Sequence, residues 1–227
     1  MSWTTHDVGD GVTLTSLVVG YAESNCYILV SDSSKKAAII DPGTSDRDQI
    51  AEIVAEAKRL GVTVEQIINT HGHLDHMEGN DLLKREFGAT VAIHELDGLK
   101  LTDPDRNASR LFGFDVQVAP ADRLLVEGDE VVVGETVIKV LHTPGHSSGA
   151  ITLVGDGYAF TGDTIFAGSV GRTDLPCSCD DSKVAWEVLM EAIRERIMVL
   201  PDETILLPGH GPSTTIGHER SHNPYVK

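Results

Sequence analysis

The sequence His-Gly-His-Leu-Asp-His at residues 71–76 constrains this chain more than any other feature, because it places four metal-binding side chains within six residues. In an extended segment, side chains two residues apart point the same way, so His71 and His73 can bind one ion together. A helix is predicted to begin near Asp75. Asp75 and His76 therefore turn away from the first pair and can serve a second ion.

Three further glycine turns each present one metal-binding side chain at the end of an apolar run, like the run 64–68 before the histidine motif. The turns are Thr-Pro-Gly-His at 143–146, Thr-Gly-Asp at 161–163 and Pro-Gly-His-Gly at 208–211, after the apolar runs 137–141, 157–160 and 204–207. Glycine lets the backbone turn sharply where a ligand must be aimed inward. Three such turns would be an odd coincidence without a metal, so His146, Asp163 and His210 are predicted to complete a metal centre.

Together these motifs resemble those of metallo-β-lactamase-fold hydrolases, and are most similar to those of the small, single-domain glyoxalase II-like (hydroxyacylglutathione hydrolase-like) proteins. The resemblance also includes Asp41-Pro42-Gly43 after a predicted strand and Gly-Arg-Thr-Asp at 171–174, and runs from about Asn25 to the C-terminus. The multi-histidine motif is specific to this resemblance. Asp-Pro-Gly and Thr-Gly-Asp would be weak evidence by themselves.

The resemblance implies an α/β (α+β) fold, a four-layer αββα sandwich of the metallo-β-lactamase type with the site at one sheet edge. Periodicity alone predicts only strands and covering helices. The predicted strands are 26–30, 37–40, 64–68, 90–93, 131–133, 137–141, 151–154, 158–160 and 204–207, and the predicted helices are 46–60, 76–87 and 182–200. Residues 99–120 are predicted to be a connecting loop. No linker or repeat divides the 227 residues, so one domain over 1–227 is expected.

The resemblance also implies a role for each metal-binding residue. It assigns His71, His73 and His146 to one ion and Asp75, His76 and His210 to a second, with Asp163 bridging both. Imidazoles and carboxylates suit Zn²⁺, with Fe²⁺ or Mn²⁺ as alternatives. Two ions ~3.5–4 Å apart can share a water and lower its pKa from ~15.7 toward ~7, which supplies a bridging hydroxide to attack a thioester carbonyl. Asp75 would hold the second metal and orient this hydroxide, so it is the candidate catalytic residue.

Three residues near the motifs have a functional and a structural interpretation. Arg172 is a candidate for binding substrate, and a salt bridge with Asp174 or a nearby glutamate explains it equally well. Tyr21 is a second candidate, although it is expected more strongly to cap the core. Asp41 is interpreted as a turn-forming residue in preference to a metal ligand.

The remaining histidines and two cysteines are not expected to bind the metals. His6, His94, His142, His218 and His222 lack the glycine-turn context and are interpreted as structural or surface residues. Cys177 and Cys179 are interpreted as ordinary exposed thiols, with redox or accessory metal chemistry as the less favoured alternative.

Charge and composition restrict the partners. The net charge of −17 disfavours nucleic acid, whose phosphates attract basic surfaces. The sequence lacks the ~20 consecutive apolar residues that cross a membrane. Three cysteines and an N-terminus unlike a signal peptide predict a cytoplasmic protein. A small-molecule substrate is therefore expected, and oligomeric state cannot be predicted.

Several functions share these motifs. Only 17 residues follow His210, too few for the helical domain through which full-length glyoxalase II contacts glutathione, so other thiols and broader acyl groups remain open. Persulfide dioxygenases share the histidine motif and the Gly-Arg-Thr-Asp segment but bind a single iron. The approach Ala-Gly-Ser-Val-Gly at 167–171 favours the small hydrolases. A lactonase and a non-catalytic metal-binding module are further alternatives.

Overall fold

The computed structural model describes residues 2–175 and 182–226, and the predictions for Cys177 and Cys179 lie outside these ranges. The strands are β1 Thr4–His6, β2 Val12–Val19, β3 Ser24–Ser31, β4 Lys36–Ile40, β5 Thr63–Ile68, β6 Thr90–His94, β7 Arg123–Leu125, β8 Glu130–Val133, β9 Thr136–His142, β10 Ile151–Val154, β11 Tyr158–Gly162, β12 Ile165–Phe166, β13 Ser169–Val170, β14 Ile205–Pro208 and β15 Thr214–Thr215. The α-helices are α1 Arg47–Leu60, α2 Leu74–Met77, α3 Asn80–Phe87, α4 Ser182–Ala192 and α5 Ile216–His222. Shorter helical segments are the 3₁₀ turns Glu95–Thr102 and Arg110–Phe112 and the π turn Ile193–Ile197.

These strands form two sheets and one small hairpin. The first sheet has the order β1-β2-β3-β4-β5-β6-β7, and the second has the order β15-β14-β11-β10-β9-β8. The hairpin pairs β12 with β13. Both sheets are mixed, because β4 and β5 run parallel in the first, and β11 and β14 run parallel in the second.

Three buried layers hold the sheets and helices together. Side chains that alternate along a strand point to opposite faces, so Leu29 enters the core between the two sheets while Ile28 enters the core beneath α1 and α3. Leu189 of α4 packs on the outer face of the second sheet, in a third cluster. The order helix, sheet, sheet, helix confirms the predicted αββα sandwich.

The helix predicted at 76–87 is two helices, α2 and α3, separated at Gly79. The loop of Asp41-Pro42-Gly43 causes this break, because it packs directly against the chain there. Gly79 donates its N–H to the Pro42 carbonyl at 2.8 Å, and a Cβ at Gly79 would lie 2.6 Å from that same oxygen. The helix predicted at 182–200 likewise changes, to a π turn, at Ile193.

Other differences arise where the sequence pattern is weak. The strands β1 and β2 add an edge to the first sheet that periodicity does not predict. Residues 99–120 contain no strand, as expected, but two 3₁₀ segments shape them. The helix α1 matches its prediction closely, because Asp46 caps its N-terminus and Gly61 ends it in the left-handed conformation. Within the described ranges, no helix has the length and apolarity needed to cross a membrane.

Candidate metal centre

Four strands deliver the predicted ligands to the same end of the sandwich. His71 follows β5, His146 follows β9, Asp163 follows β11 and His210 follows β14. The last of these loops is fastened to the first sheet, because Asn25 donates its backbone N–H to the Gly209 carbonyl at 2.7 Å. Both sheets therefore contribute side chains to one site.

Three histidines form the first group of potential ligands. His71, His73 and His146 are buried, and their candidate ligand atoms lie within 4.8 Å of one another. Their ring centroids are 4.7–4.8 Å apart, and the rings stand nearly perpendicular to one another. The Nδ1 atom of His73 lies 2.9 Å from Nε2 of His146, so these two nitrogens face each other.

A second group lies beside the first and is joined to it by Asp163. Asp75, His76 and His210 form this group. Oδ2 of Asp163 lies 3.4 Å from Nε2 of His146 and 3.5 Å from Nε2 of His210, and its Oδ1 lies 3.5 Å from Nε2 of His76. The Asp163 carboxylate thus reaches both groups, which is the position that the resemblance implies for a bridging ligand.

The donor atoms in these groups fit metal ions. Nε2 of His71, His73 and His76 and Oδ1 of Asp163 are buried and lack a hydrogen-bond partner among the described residues. Buried polar atoms in native proteins nearly always have a partner. His71, His76 and Asp163 belong to one potential metal group, whose ligand atoms lie within 4.8 Å of one another, so a bound cation would satisfy their unpaired atoms. Nitrogen and carboxylate oxygen donors in two adjoining groups are consistent with a dinuclear centre.

Three of the five histidines in the two groups are oriented by a contact at Nδ1 of the ring. Nδ1 of His76 lies 3.0 Å from Oδ2 of Asp41, and Nδ1 of His146 lies 2.8 Å from the Arg172 carbonyl oxygen. Nδ1 of His71 lies 3.2 Å from Oγ1 of Thr70. Such contacts fix the ring orientation and leave Nε2 directed at the metal, as is usual for metal-bound histidine.

The electrostatics of the two groups differ. Burial and the neighbouring histidines lower the pKa of His71 well below its usual value, and burial likewise lowers the pKa of His73 and His146. Burial alone would also lower the pKa of His76 and His210, but nearby carboxylates outweigh it and raise these pKa values to about 9 and about 11. The first group is therefore neutral at physiological pH, whereas the second competes for protons.

We expect this difference to make metal uptake by the second group strongly pH-dependent. A metal ion needs neutral imidazoles, so it must displace the protons on His76 and His210 whenever the pH lies below the raised pKa of about 9. The apparent affinity should rise by about tenfold per pH unit for each displaced proton as the pH increases toward that value. Zinc titration against a competing chelator at several pH values measures this. An equal dependence of apparent affinity on pH for the two ions would contradict this expectation.

The interpretation of Asp41 as a turn former is incomplete. Asp41 does sit in the left-handed region with φ 51°, but its carboxylate is buried and accepts hydrogen bonds from the backbone N–H and the hydroxyl of Thr70 at 2.8 and 2.6 Å. The same carboxylate faces His76 at 3.0 Å. Asp41 is thus neither a simple turn residue nor a direct ligand, since it orients the histidine of the second group.

The substitution Asp41→Asn should weaken the second metal by about 10- to 100-fold, which is the usual effect of removing a carboxylate behind a metal-bound histidine. Metal titration of the variant measures the loss. Asp46→Asn is the matched control, because Asp46 is an exposed helix cap and asparagine caps helices equally well. Equal metal affinity in Asp41→Asn and the native protein would exclude the orienting role.

Asp97 is a buried residue at the site that the sequence did not indicate. Its carboxylate accepts hydrogen bonds from the Gly72 N–H at 2.8 Å, the Ser147 hydroxyl at 2.5 Å and the Gly149 N–H at 2.7 Å. Nζ of Lys100 lies 3.0 Å away. Burial alone would raise the pKa of Asp97, but Lys100 and these donors outweigh it and keep the carboxyl ionised. Asp97 therefore joins the loop of His71 and His73 to the loop of His146.

A cavity of about 370 Å³ opens onto the two groups. Tyr21 lines its rim with about half of its side chain exposed, so the expectation that it caps the core is wrong. Arg172 also lines the cavity, and its Nε and Nη2 donate to Asp174 at 2.7 and 2.9 Å. The predicted salt bridge and the predicted place at the pocket are both present. A role of either residue in substrate binding stays a prediction.

The histidines interpreted as structural lie away from the metal groups. His94 stacks on His142 with ring centroids 4.2 Å apart, and His218 stacks on His222 at 4.5 Å. His6 contacts the Ser16 hydroxyl at 2.8 Å. None of the five belongs to a potential metal group within the described residues.

Comparison with known proteins shows the family of the chain. A model of the metallo-beta-lactamase superfamily matches residues 19–210. The hydroxyacylglutathione hydrolase GloC of Haemophilus influenzae is 33% identical over 208 residues, covering 90% of this chain and 93% of GloC. The crystal structure of the BLEG-1 B3 metallo-beta-lactamase has a TM-score of 0.85 at 35% identity, covering 94% of this chain and 99% of that one. The di-iron-bound form of TTHA1623 has a TM-score of 0.74 at 33% identity, covering 92% and 98%.

Proposed function

Because the chain belongs to the metallo-beta-lactamase superfamily, we propose that it is a metal-dependent hydrolase whose substrates are small thioesters, the class to which S-lactoylglutathione belongs. The observation that carries this proposal is the set of unpaired, buried ligand atoms of His71, His76 and Asp163 beneath an open cavity. The similarity to GloC supports the thioester as the substrate class.

In the proposed centre, His71, His73 and His146 would hold one divalent ion, and Asp75, His76 and His210 a second, with Asp163 contacting both. Zinc is the proposed metal, with iron or manganese as alternatives, and a relative has been solved with two irons. When bound, such ions polarise a carbonyl group and lower the pKa of water from ~15.7 toward ~7.

The residues of the chain would orient the reactants. The Asp75 carboxylate is ionised, because His76 and His210 outweigh its burial and lower its pKa. Its Oδ2 accepts a hydrogen bond from the Ser24 hydroxyl at 3.3 Å, which limits its rotation. An ionised carboxylate at the cavity floor can accept a hydrogen bond from the attacking water and so direct the water's oxygen toward the substrate.

The overall reaction is a simple acyl transfer to water. The water oxygen forms a bond to the acyl carbon, and the carbon–sulfur bond breaks. The sulfur leaves with the bonding electron pair and takes up a proton, so the products are a carboxylic acid and a thiol.

Metal analysis and a thioester assay test this proposal together. Protein from an unsupplemented culture should contain about two equivalents of divalent metal per chain, and its hydrolysis of thioesters should be lost on chelation and restored by metal. One equivalent of iron, together with oxygen uptake on a persulfide, would replace the proposal with the dioxygenase alternative. Full metal content without turnover of any thioester or lactone would favour a non-catalytic role.

A further inference from the structure

Three aromatic side chains line the cavity that opens onto the metal ligands. Tyr21, Phe112 and Phe166 line it, and we call these three residues the aromatic wall. The ring of Phe166 lies 6.1 Å from the ring of His210, so the wall begins at the second metal group. Tyr21 is supported from behind by Phe114, whose ring lies 5.0 Å away. A part of the substrate that extends from the metal site toward these rings therefore contacts apolar surface.

The wall is fixed to the metal-binding segment by the loop that carries Phe112. The backbone N–H of Leu74, between two predicted ligands, donates to the Asn107 carbonyl at 3.1 Å. The Asn107 side chain is buried and donates to the carbonyls of Lys100 and Val116 at 3.0 and 2.9 Å. Ala108 lines the cavity in the left-handed conformation with φ 65°, which a non-glycine residue keeps only when its surroundings impose it. Phe112 is thus held in place relative to the metals.

Away from the metal ligands, the described lining of the cavity offers little positive charge to pair with an anionic substrate group. Arg172 is the one cationic side chain among the described lining residues other than the histidines, and one edge of its guanidinium already holds Asp174. A second groove of about 500 Å³, which shares Tyr21 with the cavity, is lined by Asp46 and Glu78 and by Asp115, which pairs with Arg110 at 3.0 Å. A carboxylate on the thiol carrier would therefore approach like charges, within a chain of net charge −17.

From the aromatic wall and the acidic groove we infer the substrate class, on the basis of the proposed thioester hydrolysis. The preferred substrates are thioesters with an apolar acyl chain and a thiol that carries no carboxylate near its sulfur. The acyl chain lies against Phe112 and Phe166, and the thioester carbonyl lies at the metals. Apolar contact of this kind adds to affinity in proportion to the area removed from water.

A panel of four thioesters tests the inference. Hexanoyl and lactoyl groups are each joined to N-acetylcysteamine, which is neutral, and to 3-mercaptopropionate, which is anionic. Hexanoyl-N-acetylcysteamine should have the highest kcat/KM. Its kcat/KM should be about tenfold or more above that of lactoyl-N-acetylcysteamine and above that of the hexanoyl thioester of 3-mercaptopropionate. The penalty for the anionic thiol should shrink as salt is added. Equal or better turnover of the lactoyl or anionic substrates would overturn the inference.

Substitutions at two neighbouring residues test whether the aromatic wall causes the preference for the hexanoyl group. Phe112→Ser should raise KM for the hexanoyl substrate by about tenfold and leave the lactoyl substrate nearly unchanged, since only the longer chain reaches the ring. Leu111→Ser is the matched control, because Leu111 lies on the same 3₁₀ turn and is exposed but does not line the cavity. Equal losses for both acyl groups in Phe112→Ser would contradict a role in selectivity.

A binding measurement separates this inference from the proposed function. Calorimetry with S-hexyl-N-acetylcysteamine, a thioether that cannot be hydrolysed, reports on the wall without turnover. Binding that Phe112→Ser weakens about tenfold and Leu111→Ser leaves unchanged supports the inference even if no thioester is hydrolysed, a result that would refute only the hydrolase. Absence of binding to the metal-loaded protein would refute the aromatic wall as an acyl site.

Discussion

Replacing Asp163 with alanine should remove metal and activity together. The Asp163 carboxylate contacts His76 in the second group and His146 in the first, so its loss deprives both ions of a ligand. We expect metal content to fall well below two equivalents and kcat/KM to fall by about 1,000-fold or more, since the metals supply several kcal/mol of stabilisation to the reaction. Elemental analysis and the thioester assay on the same preparation measure both effects.

The control for this substitution is Asp156→Ala. Asp156 is an exposed carboxylate in the turn before β11, the strand that ends at Asp163, so its removal should change neither metal content nor activity. Circular dichroism of both variants shows whether the fold is kept. An Asp163→Ala protein that retains two metals per chain would refute the bridging role, whatever its activity.

The substitution Asp97→Ala should be among the most destabilising in the chain. Asp97 and Lys100 are both almost fully buried, and removal of one member of a buried ion pair typically costs about 3–5 kcal/mol. Four hydrogen-bond donors on two loops would also lose their acceptor. The free energy of unfolding in urea should fall by this amount. Metal affinity at the first group should fall about 10- to 100-fold, because His71, His73 and His146 lose their common anchor.

Two further variants make this prediction specific. Asp105→Ala removes an exposed partner of Arg110 and should change the free energy of unfolding by no more than about 0.5 kcal/mol. Adding Lys100→Met to Asp97→Ala should recover part of the stability, because the ammonium group left without its partner is then removed. The metal affinity should not be restored. If the double variant regained both, Asp97 would serve stability alone and would not position the ligands.

The signals from which the sequence predicts metal-binding residues are local, and the structure brings these residues together in adjoining groups. The histidines and aspartates follow short apolar runs and lie beside glycines. The residue preferences that form strands and turns act over only a few residues. Gly209 illustrates how closely the turns are specified, since a Cβ there would overlap the Asp163 carboxylate. The predicted strands from 26–30 to 204–207 all appear with small shifts at their ends.

The features that sequence reasoning missed depend on contacts between distant parts of the chain. Asp97 lies in a segment with no recognisable motif, and its acceptor role exists only because the loops of Gly72 and Ser147 meet there. The break at Gly79 results from packing against Pro42. Phe112 belongs to a stretch interpreted as a plain connection, and it gains its place at the cavity through the buried side chain of Asn107.

The delivery of ligands by successive strands also sets an order of assembly during synthesis. His71, His73 and His146 have all left the ribosome before β14 is made, whereas the second group requires His210 and the bond between Asn25 and the Gly209 carbonyl. That bond joins the first sheet to one of the last strands, and contacts between such distant segments close late in folding. In the proposed dinuclear centre, a newly made chain would therefore bind its two ions at different times, and the second would bind only after the C-terminal strand has joined the sheet.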